Sequence, residues 1–320
     1  GAVPMPVMDD SFSRAGAQPT EWRLLEAGAA RTVYGFELPW KNATVRERVT
    51  LWNALKRVDC EVELVNFNGE LWREFRLAFP LALESPEVTY EVPMGVVRIG
   101  RDEIKTTGGH AYGKLDYYER CPDIRPREVQ NFVDVSDGKG GVTLSTCVSA
   151  FDWKNIVDTN DLGVVLQPVL LATRKSCNGA GNWYPQAGDH RYRFSLTSHK
   201  GDWRAGWRAG VEGNHPLEAV RGEDRAPTLA LQEEHSFLRV SGAGTTVSAV
   251  KKAEEGDGVV LRVVEMEGRD GRVSIGGFKP VREARRVSVI EDDQSAADLG
   301  DGSVALPLGH HAIETVRLQF

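Results

Sequence analysis

Apolar and polar residues alternate with a period of two along most of this chain. In Val58–Leu64, Val58, Cys60, Val62 and Leu64 fall on one side and Asp59, Glu61 and Glu63 on the other. That is the pattern of a strand with one buried and one wet face. Tyr192, Phe194 and Leu196 alternate in the same way with Arg191, Arg193 and Ser195, and Val142 and Leu144 with Thr143 and Ser145. Phe132, Asp134 and Ser136 share a face opposite Val133 and Val135. Asp137-Gly-Lys-Gly-Gly141 predicts a turn or bulged hairpin between two such strands. No long helices alternate with these strands, so the pattern predicts an all-β protein and excludes an α/β barrel.

The texture changes near Arg225. All eight tryptophans lie at or before Trp207, and all four cysteines at or before Cys177. Gly222-Glu-Asp-Arg-Ala-Pro227 reads as a polar linker. Beyond it come short strands at intervals of roughly ten residues, with turns at Gly256-Asp-Gly258, Gly268-Arg-Asp-Gly271 and Gly300-Asp-Gly302. We therefore expect a large β-domain over 1–225 and a smaller antiparallel β-sandwich over 226–320, closing on a strand in which Val316, Leu318 and Phe320 alternate. One helix is predicted. Asp202-Trp-Arg-Ala-Gly-Trp-Arg-Ala-Gly-Val211 places Trp203, Trp207 and Val211 on one stripe, which is expected to staple to the sheet, with Asp202 as N-cap and Gly213 as stop.

At 320 residues and 41% hydrophobic content the chain can build packed cores. Its formal net charge of -7 is spread among interspersed charges of both signs, with no basic stripe, which argues against nucleic acid. No apolar run approaches a membrane span, and the start lacks the regions of a signal peptide. A soluble, cytoplasmic protein is the expectation. The first residue is Gly rather than Met, so a cut or processed chain is expected too. Cys60, Cys121, Cys147 and Cys177 fit no Cys-x-x-Cys pattern. Cys60 and Cys147 are read as reduced core residues, and nothing in the sequence signals a Cys121–Cys177 pairing. Asn42-Ala-Thr44 is a short glycosylation acceptor pattern of little weight.

Glycoside hydrolysis ordinarily needs two carboxylates. Glu84, Glu91, Glu119, Asp134 and Asp137 are candidates, but 46 acidic residues guarantee many close pairs. No His-Glu-x-x-His or His-x-His occurs, and adjacent His310 and His311 on a strand would face opposite ways, so no metal site is expected. Serine-hydrolase, kinase and dehydrogenase motifs are missing. His190 falls on the face of Tyr192 and Phe194. It reads either as a hydrogen-bonded core residue or as the lining of a sugar-binding surface. Trp183 and Tyr184, on the loop Asn178-Gly-Ala-Gly-Asn-Trp-Tyr-Pro185, could stack on a pyranose.

Several phrases, in order, resemble the carboxy-terminal β-portion of glycoside hydrolase family 38, the α-mannosidases. They are Phe79-Pro80 with Glu91-Val-Pro-Met-Gly95; Gln130-Asn-Phe-Val-Asp-Val-Ser-Asp137 with Gly141-Val-Thr-Leu144, where Phe132 stands at the family's usual Trp; Gln167-Pro-Val-Leu-Leu171; and Gly188-Asp-His-Arg-Tyr-Arg-Phe-Ser-Leu196. Asn214-His-Pro-Leu217, Ala249-Val-Lys-Lys-Ala-Glu254 with Val260-Leu-Arg-Val-Val-Glu265, and Glu314-Thr-Val-Arg-Leu318 complete the set.

The resemblance implies a galactose-mutarotase-like super-sandwich followed by a smaller sandwich. It also implies that the family's aspartate nucleophile and zinc ligands lie in an amino-terminal barrel that this sequence does not match. Accordingly no catalytic or metal residue is assigned here, and zinc is expected only in that other domain. Expected partners are an amino-terminal catalytic domain of the same parent chain and mannose-containing glycans, with Glu91, Asp134, Asp137, Trp183 and His190 as candidate substrate contacts. Two other functions fit the sequence. One is a self-sufficient mutarotase with His190 as acid and Glu84 or Glu91 as base; the other is a stand-alone carbohydrate-binding module.

Overall fold

The computed structural model describes residues 13–103, 127–154, 163–176, 179–221 and 234–320. Glu119, Cys121, Cys177, the 222–227 segment and the first twelve residues lie outside them. The chain divides into two compact units, residues 1–93 with 97–216 and residues 94–96 with 217–320. Strands make up nearly all of the regular secondary structure among the described residues, as the alternation predicts.

The first unit is built on a nine-stranded antiparallel sheet. Its order runs Arg23–Ala27, Arg31–Trp40, Ala43–Trp52, Val58–Phe67, Gly188–Lys200, Gly140–Thr146, Phe132–Ser136, Glu87–Val92, Gly95–Arg98. The first four strands form a meander, and Gly188–Lys200 then pairs with the fourth of them. A second sheet orders Glu74–Arg76, Val164–Ala172, Ala150–Lys154 and Arg127–Glu128, with Phe79–Leu81 also on Val164–Ala172. The core lies between the two sheets. Cys60, Val62, Leu64, Val133, Val135, Leu144 and Phe194 from the first meet Phe151, Leu166, Leu170 and Leu171 from the second. The edge strand Arg23–Ala27 is exposed along its whole length and carries a bulge between Leu24 and Glu26.

The second unit pairs a four-stranded sheet with a five-stranded one. The former orders Leu238–Ser241, Gly271–Gly277, Ser303–Leu308 and Asp298–Gly300; the latter orders Thr245–Lys252, Val259–Glu265, Ile313–Gln319, Glu283–Val287 and Asp293–Ala296. Leu261, Val263, Val273, Ile275, Val304, Leu306, Val316 and Leu318 form its core. The turn glycines behave as their positions require. Gly256, Gly268 and Gly302 all have left-handed backbone, at φ 72°, 73° and 68°.

Two expectations are corrected. Cys60 is buried, and burial pushes its thiol up to about 12. Cys147, however, is exposed, because its strand ends at Thr146. His310 and His311 lie in the turn between two strands rather than on one.

The buried Glu265 holds that region. One of its oxygens accepts from the Glu267 amide at 2.9 Å, and the other from the amides of Gly268, Arg269 and His311 at 2.8, 3.1 and 3.0 Å. A carboxylate meeting four backbone donors leaves four orphans when it is removed. Glu265→Ala is expected to lower the stability of the second unit by about 2–4 kcal/mol, read from its urea transition. A loss under about 0.5 kcal/mol would contradict the clamp.

Candidate functional site

The face of the nine-stranded sheet turned away from the core is polar, as the Asp134 and Glu61 phases predict. Register fixes its rows. Thr89, Asp134, Thr143 and Thr197 are successive cross-strand neighbours, and Ser145, Ser195 and Asp59 form the next row. Asp134 is fully buried on this face. Its Oδ2 accepts a hydrogen bond from the Thr143 hydroxyl at 2.6 Å and lies 2.7 Å from His199 Nε2. The carboxylate hydrogen bond raises the His199 imidazole above its ordinary 6.5. Asp134 Oδ1, Thr89 Oγ1 and His199 Nδ1 find no protein partner among the described residues; such orphans are ordinarily met by buried water.

What covers this cluster is the segment after His199. A 3-10 turn, Trp203–Ala205, is capped by Asp202, whose side chain accepts from the Arg204 amide at 3.0 Å. A short α-helix, Trp207–Gly213, follows. The Asp202 cap agrees with the sequence, but the stripe facing the sheet does not. Trp203 and Trp207 are buried, yet the row pressed on the sheet is Gly206, Gly210 and Gly213. A Cβ at 206 would lie 1.9 Å from Thr143 Oγ1, one at 210 would lie 2.5 Å from Phe132 Cβ, and one at 213 would lie 2.5 Å from Ser145 Oγ. The Trp-Arg-Ala-Gly repeat spaces its glycines by four just as it spaces its tryptophans, so one repeat writes two stripes. Arg204 and Arg208 lie over the Trp203 and Trp207 rings at 4.9 and 4.5 Å.

Asn214, just past the helix, ties it down. Its amide donates to Asn131 O at 3.1 Å and Thr146 O at 2.9 Å, and its Oδ1 accepts from the Ser145 hydroxyl at 3.1 Å. Glu91, on the same face as Thr89, is buried too. It accepts from the Asn131 amide at 3.1 Å, and burial pushes its carboxyl above the usual range. Beyond the helix the face opens into a charge ladder, in which Glu61 meets Arg48 at 2.8 Å and Arg193 at 3.3 Å. Asp59 there accepts from Ser195 Oγ at 2.6 Å and Trp52 Nε1 at 2.7 Å.

The structure thus brings Glu91 and Asp134 to one face and places the other candidates elsewhere. Asp137 sits in the hairpin turn, accepting from the Lys139 and Gly140 amides at 2.9 and 3.0 Å, contacts that hold its carboxyl below the usual range. His190 lies on the opposite, core-side face, stacked on Tyr192, with Nε2 2.6 Å from Gln186 O. It is seven residues along the strand from Thr197, or about 23 Å. Glu84 is an exposed partner of Lys139. His190 therefore has neither Glu84 nor Glu91 within reach as an acid–base partner. Trp183 is 63% exposed on a ribbon that pairs Trp183–Tyr184 with Arg174–Lys175, and Lys175 Nζ lies 3.5 Å from the centre of its ring.

A His–Asp pair can orient a general base. Here the imidazole spends Nε2 on Asp134, its other nitrogen is buried, and the helix covers both. The cluster's chemistry is to hold a layer of structure. Sequence reasoning missed Thr143, His199 and Asn214; the alternation Ser195, Thr197, His199 was the available signal.

Comparison with known proteins bears on the whole chain. Residues 245–316 match the family described as Glycosyl hydrolases family 38 C-terminal beta sandwich domain. An alpha-mannosidase from Enterococcus faecalis V583 is similar in structure at a TM-score of 0.72 and 15% identity, over 94% of this chain and 35% of its own. A protein in the Glycosyl Hydrolase Family 38 from Enterococcus faecalis is similar at a TM-score of 0.72 and 16% identity, over 94% and 36%. A galactose 1-epimerase from Lactobacillus acidophilus NCFM is similar over 57% of this chain at a TM-score of 0.36 and 12% identity, and over 67% of its own; that likeness carries no weight for function. No curated protein matches the chain in sequence. The chain spans about a third of the length of the two Enterococcus structures.

Two outcomes are expected of the buried cluster. Gly206→Ala and Gly210→Ala should each lower the stability of the first unit by about 1–3 kcal/mol, since neither added methyl has space; urea unfolding reads this. The raised imidazole favours the charged form when folded, so its stabilisation is complete below pH 6.5 and fades as pH rises through the higher folded value. The His199 ring resonance should therefore titrate with a midpoint above 6.5 and move down in Asp134→Asn; a midpoint at or below 6.5 in the parent chain would refute the pairing. Residues 245–316 thus match the glycosyl hydrolase family 38 C-terminal beta sandwich domain, within a chain that shares, over 94% of its length, the fold of part of an alpha-mannosidase and of a family 38 protein.

Proposed function

We propose that this chain serves as the carboxy-terminal β-portion of a retaining α-mannosidase whose reacting groups lie in polypeptide outside it. The observation that carries the reading is a coincidence of two kinds of likeness. The family 38 domain falls at 245–316, and the fold of 94% of the chain recurs in about a third of an alpha-mannosidase. In this reading the partner is an amino-terminal catalytic domain of the same parent protein, and the substrate is the terminal α-mannose of a glycan.

The arrangement of side chains supports a scaffold role. Each buried acid of the polar face is engaged with amides, hydroxyls or an imidazole, and Asp134 and Glu91 sit beneath structure rather than in an open cleft. Zinc belongs to the proposed catalytic domain. Among the described residues no group of three His, Cys, Asp or Glu could hold a metal ion. Among the same residues no helix is long and apolar enough to cross a membrane.

The purified 320-residue chain is expected to release no 4-nitrophenol from 4-nitrophenyl α-D-mannopyranoside and to hold no stoichiometric zinc by elemental analysis. Joined to the rest of a family 38 enzyme, it should be required for turnover. Steady hydrolysis by the isolated chain, abolished in none of its contaminant controls, would overturn the reading.

A further inference from the structure

The end of the first unit where Arg31–Trp40 turns into Ala43–Trp52 is more elaborately built than its scaffold role requires. Three loops interlock there. The Asn68 amide donates to Asn42 O at 3.1 Å, the Asn42 side chain donates to Glu70 Oε2 at 2.8 Å, and the Asn66 amide donates to Asp189 Oδ1 at 2.7 Å. Gly69, at φ 78°, lets its loop approach Ala187, which would lie 2.9 Å from any added Cβ. Lys41, Asn66, Trp72 and Gln186 all adopt left-handed backbone in these loops, at φ 53°, 55°, 63° and 49°. For residues other than glycine that conformation is costly and persists only where surrounding structure imposes it, which is common at binding sites.

Between the loops lies an open cleft of about 470 Å³, lined by Trp40, Lys41, Asn42, Thr44, Asn66 and Asn68 among others. That size falls in the ~300–1,000 Å³ range of small-molecule sites. Its chemistry is specific. Trp40 packs edge-on against Phe75 on the core side and is only partly buried. Asn42, Asn66, Asn68 and Thr44 bring amide and hydroxyl groups to a small space; Asn42 Nδ2 already donates to Glu70 and Asn68 Oδ1 accepts from the Glu70 amide, which leaves Asn42 Oδ1, Asn68 Nδ2 and the Asn66 and Thr44 side chains to a ligand. Asn66 is exposed and lines the cleft, with its backbone amide held by Asp189. Lys41, the cation among the lining residues, donates to Ser13 Oγ at 2.6 Å and reaches over the Trp40 ring, 5.6 Å from its centre, so the lining carries no cluster of positive charge for a phosphate or carboxylate.

An aromatic surface beside a set of neutral amides is complementary to a pyranose, which presents an apolar C–H face and a rim of hydroxyls. We infer that this cleft is a binding site for a neutral hexopyranose, a glycan subsite made by Trp40, Asn42 and Asn66. The inference rests on the mannosidase reading only for the choice of mannose as the sugar. The site would hold a glycan arm in place while chemistry proceeds elsewhere, so its affinity for a single sugar is weak and its value lies in adding a second point of attachment.

The test uses the full 320-residue chain and two probes, methyl α-D-mannopyranoside and an α-linked mannobiose. Nitrogen-15 spectra are recorded as each sugar is added, with the indole N–H of Trp40 assigned by Trp40→Phe. The Trp40 indole and the Asn66 side-chain amide should shift in a saturable way. Trp40→Ala and Asn66→Gly should each weaken binding about tenfold or more. Asn66→Gly suits the left-handed backbone and so separates lost binding from lost folding. Phe278→Ala, an exposed aromatic of the other unit, should leave the titration unchanged. Absence of any saturable shift with both sugars, shifts confined to residues away from the cleft, or binding unaltered by both cleft variants would each overturn the inference. None of these results touches hydrolysis by the larger enzyme, so the subsite can fail while the mannosidase reading stands. Conversely, loss of that reading leaves sugar binding by the cleft measurable.

Discussion

The first unit depends on a carboxylate placed where a sheet would ordinarily carry an apolar or solvated residue. Burying Asp134 without partners would cost several kcal/mol. Thr143 and His199 meet one of its oxygens, and their position on neighbouring strands makes the register of three strands interdependent. A one-residue slip would carry Thr143 to the core face and leave the charge alone. The helix then lies flat on this row, and glycines at 206, 210 and 213 allow its backbone so near. Asn214 fixes the helix end by bonding at once to the backbone of Asn131, just before one strand, and of Thr146, at the end of another. Charge, hydroxyl, imidazole, glycine and amide thus form one chain of requirements.

Much of this could be read from residue order. The period of two located the strands, and it assigned Asp134 and His190 to opposite-type faces correctly. The glycine-rich turns followed from the need for positive φ. What residue order did not disclose was contact across distance. His199 and Asp134 are separated by 65 positions, and nothing local to either names the other. The glycine stripe was hidden by its own repeat, because tryptophan is the louder residue at the same spacing. Cys147 was misplaced by one residue of strand length, enough to move a thiol from core to surface. The cleft at the loop end had a further obstacle. Its residues come from hairpins whose backbone conformation, left-handed at Lys41 and Asn66, is invisible to propensity.

The family phrases also change meaning once seen in three dimensions. Asn214 of Asn-His-Pro-Leu is a helix clamp, Asp134 a register pin, Phe132 the surface beneath Gly210, and Glu265 a cap for four backbone amides. These are requirements of architecture. A sequence pattern of this kind can identify a fold through the residues that hold its layers and turns together.

The exposed edge strand Arg23–Ala27 has a consequence for how the molecule behaves in concentrated solution. A long sheet ending in free amides and carbonyls is a template for joining another sheet. Here the bulge between Leu24 and Glu26 breaks the run of evenly spaced groups, and the Arg31–Glu26 and Arg23–Glu21 pairs set charge along the rim. The kinked, charged border gives a second sheet no straight line to align with.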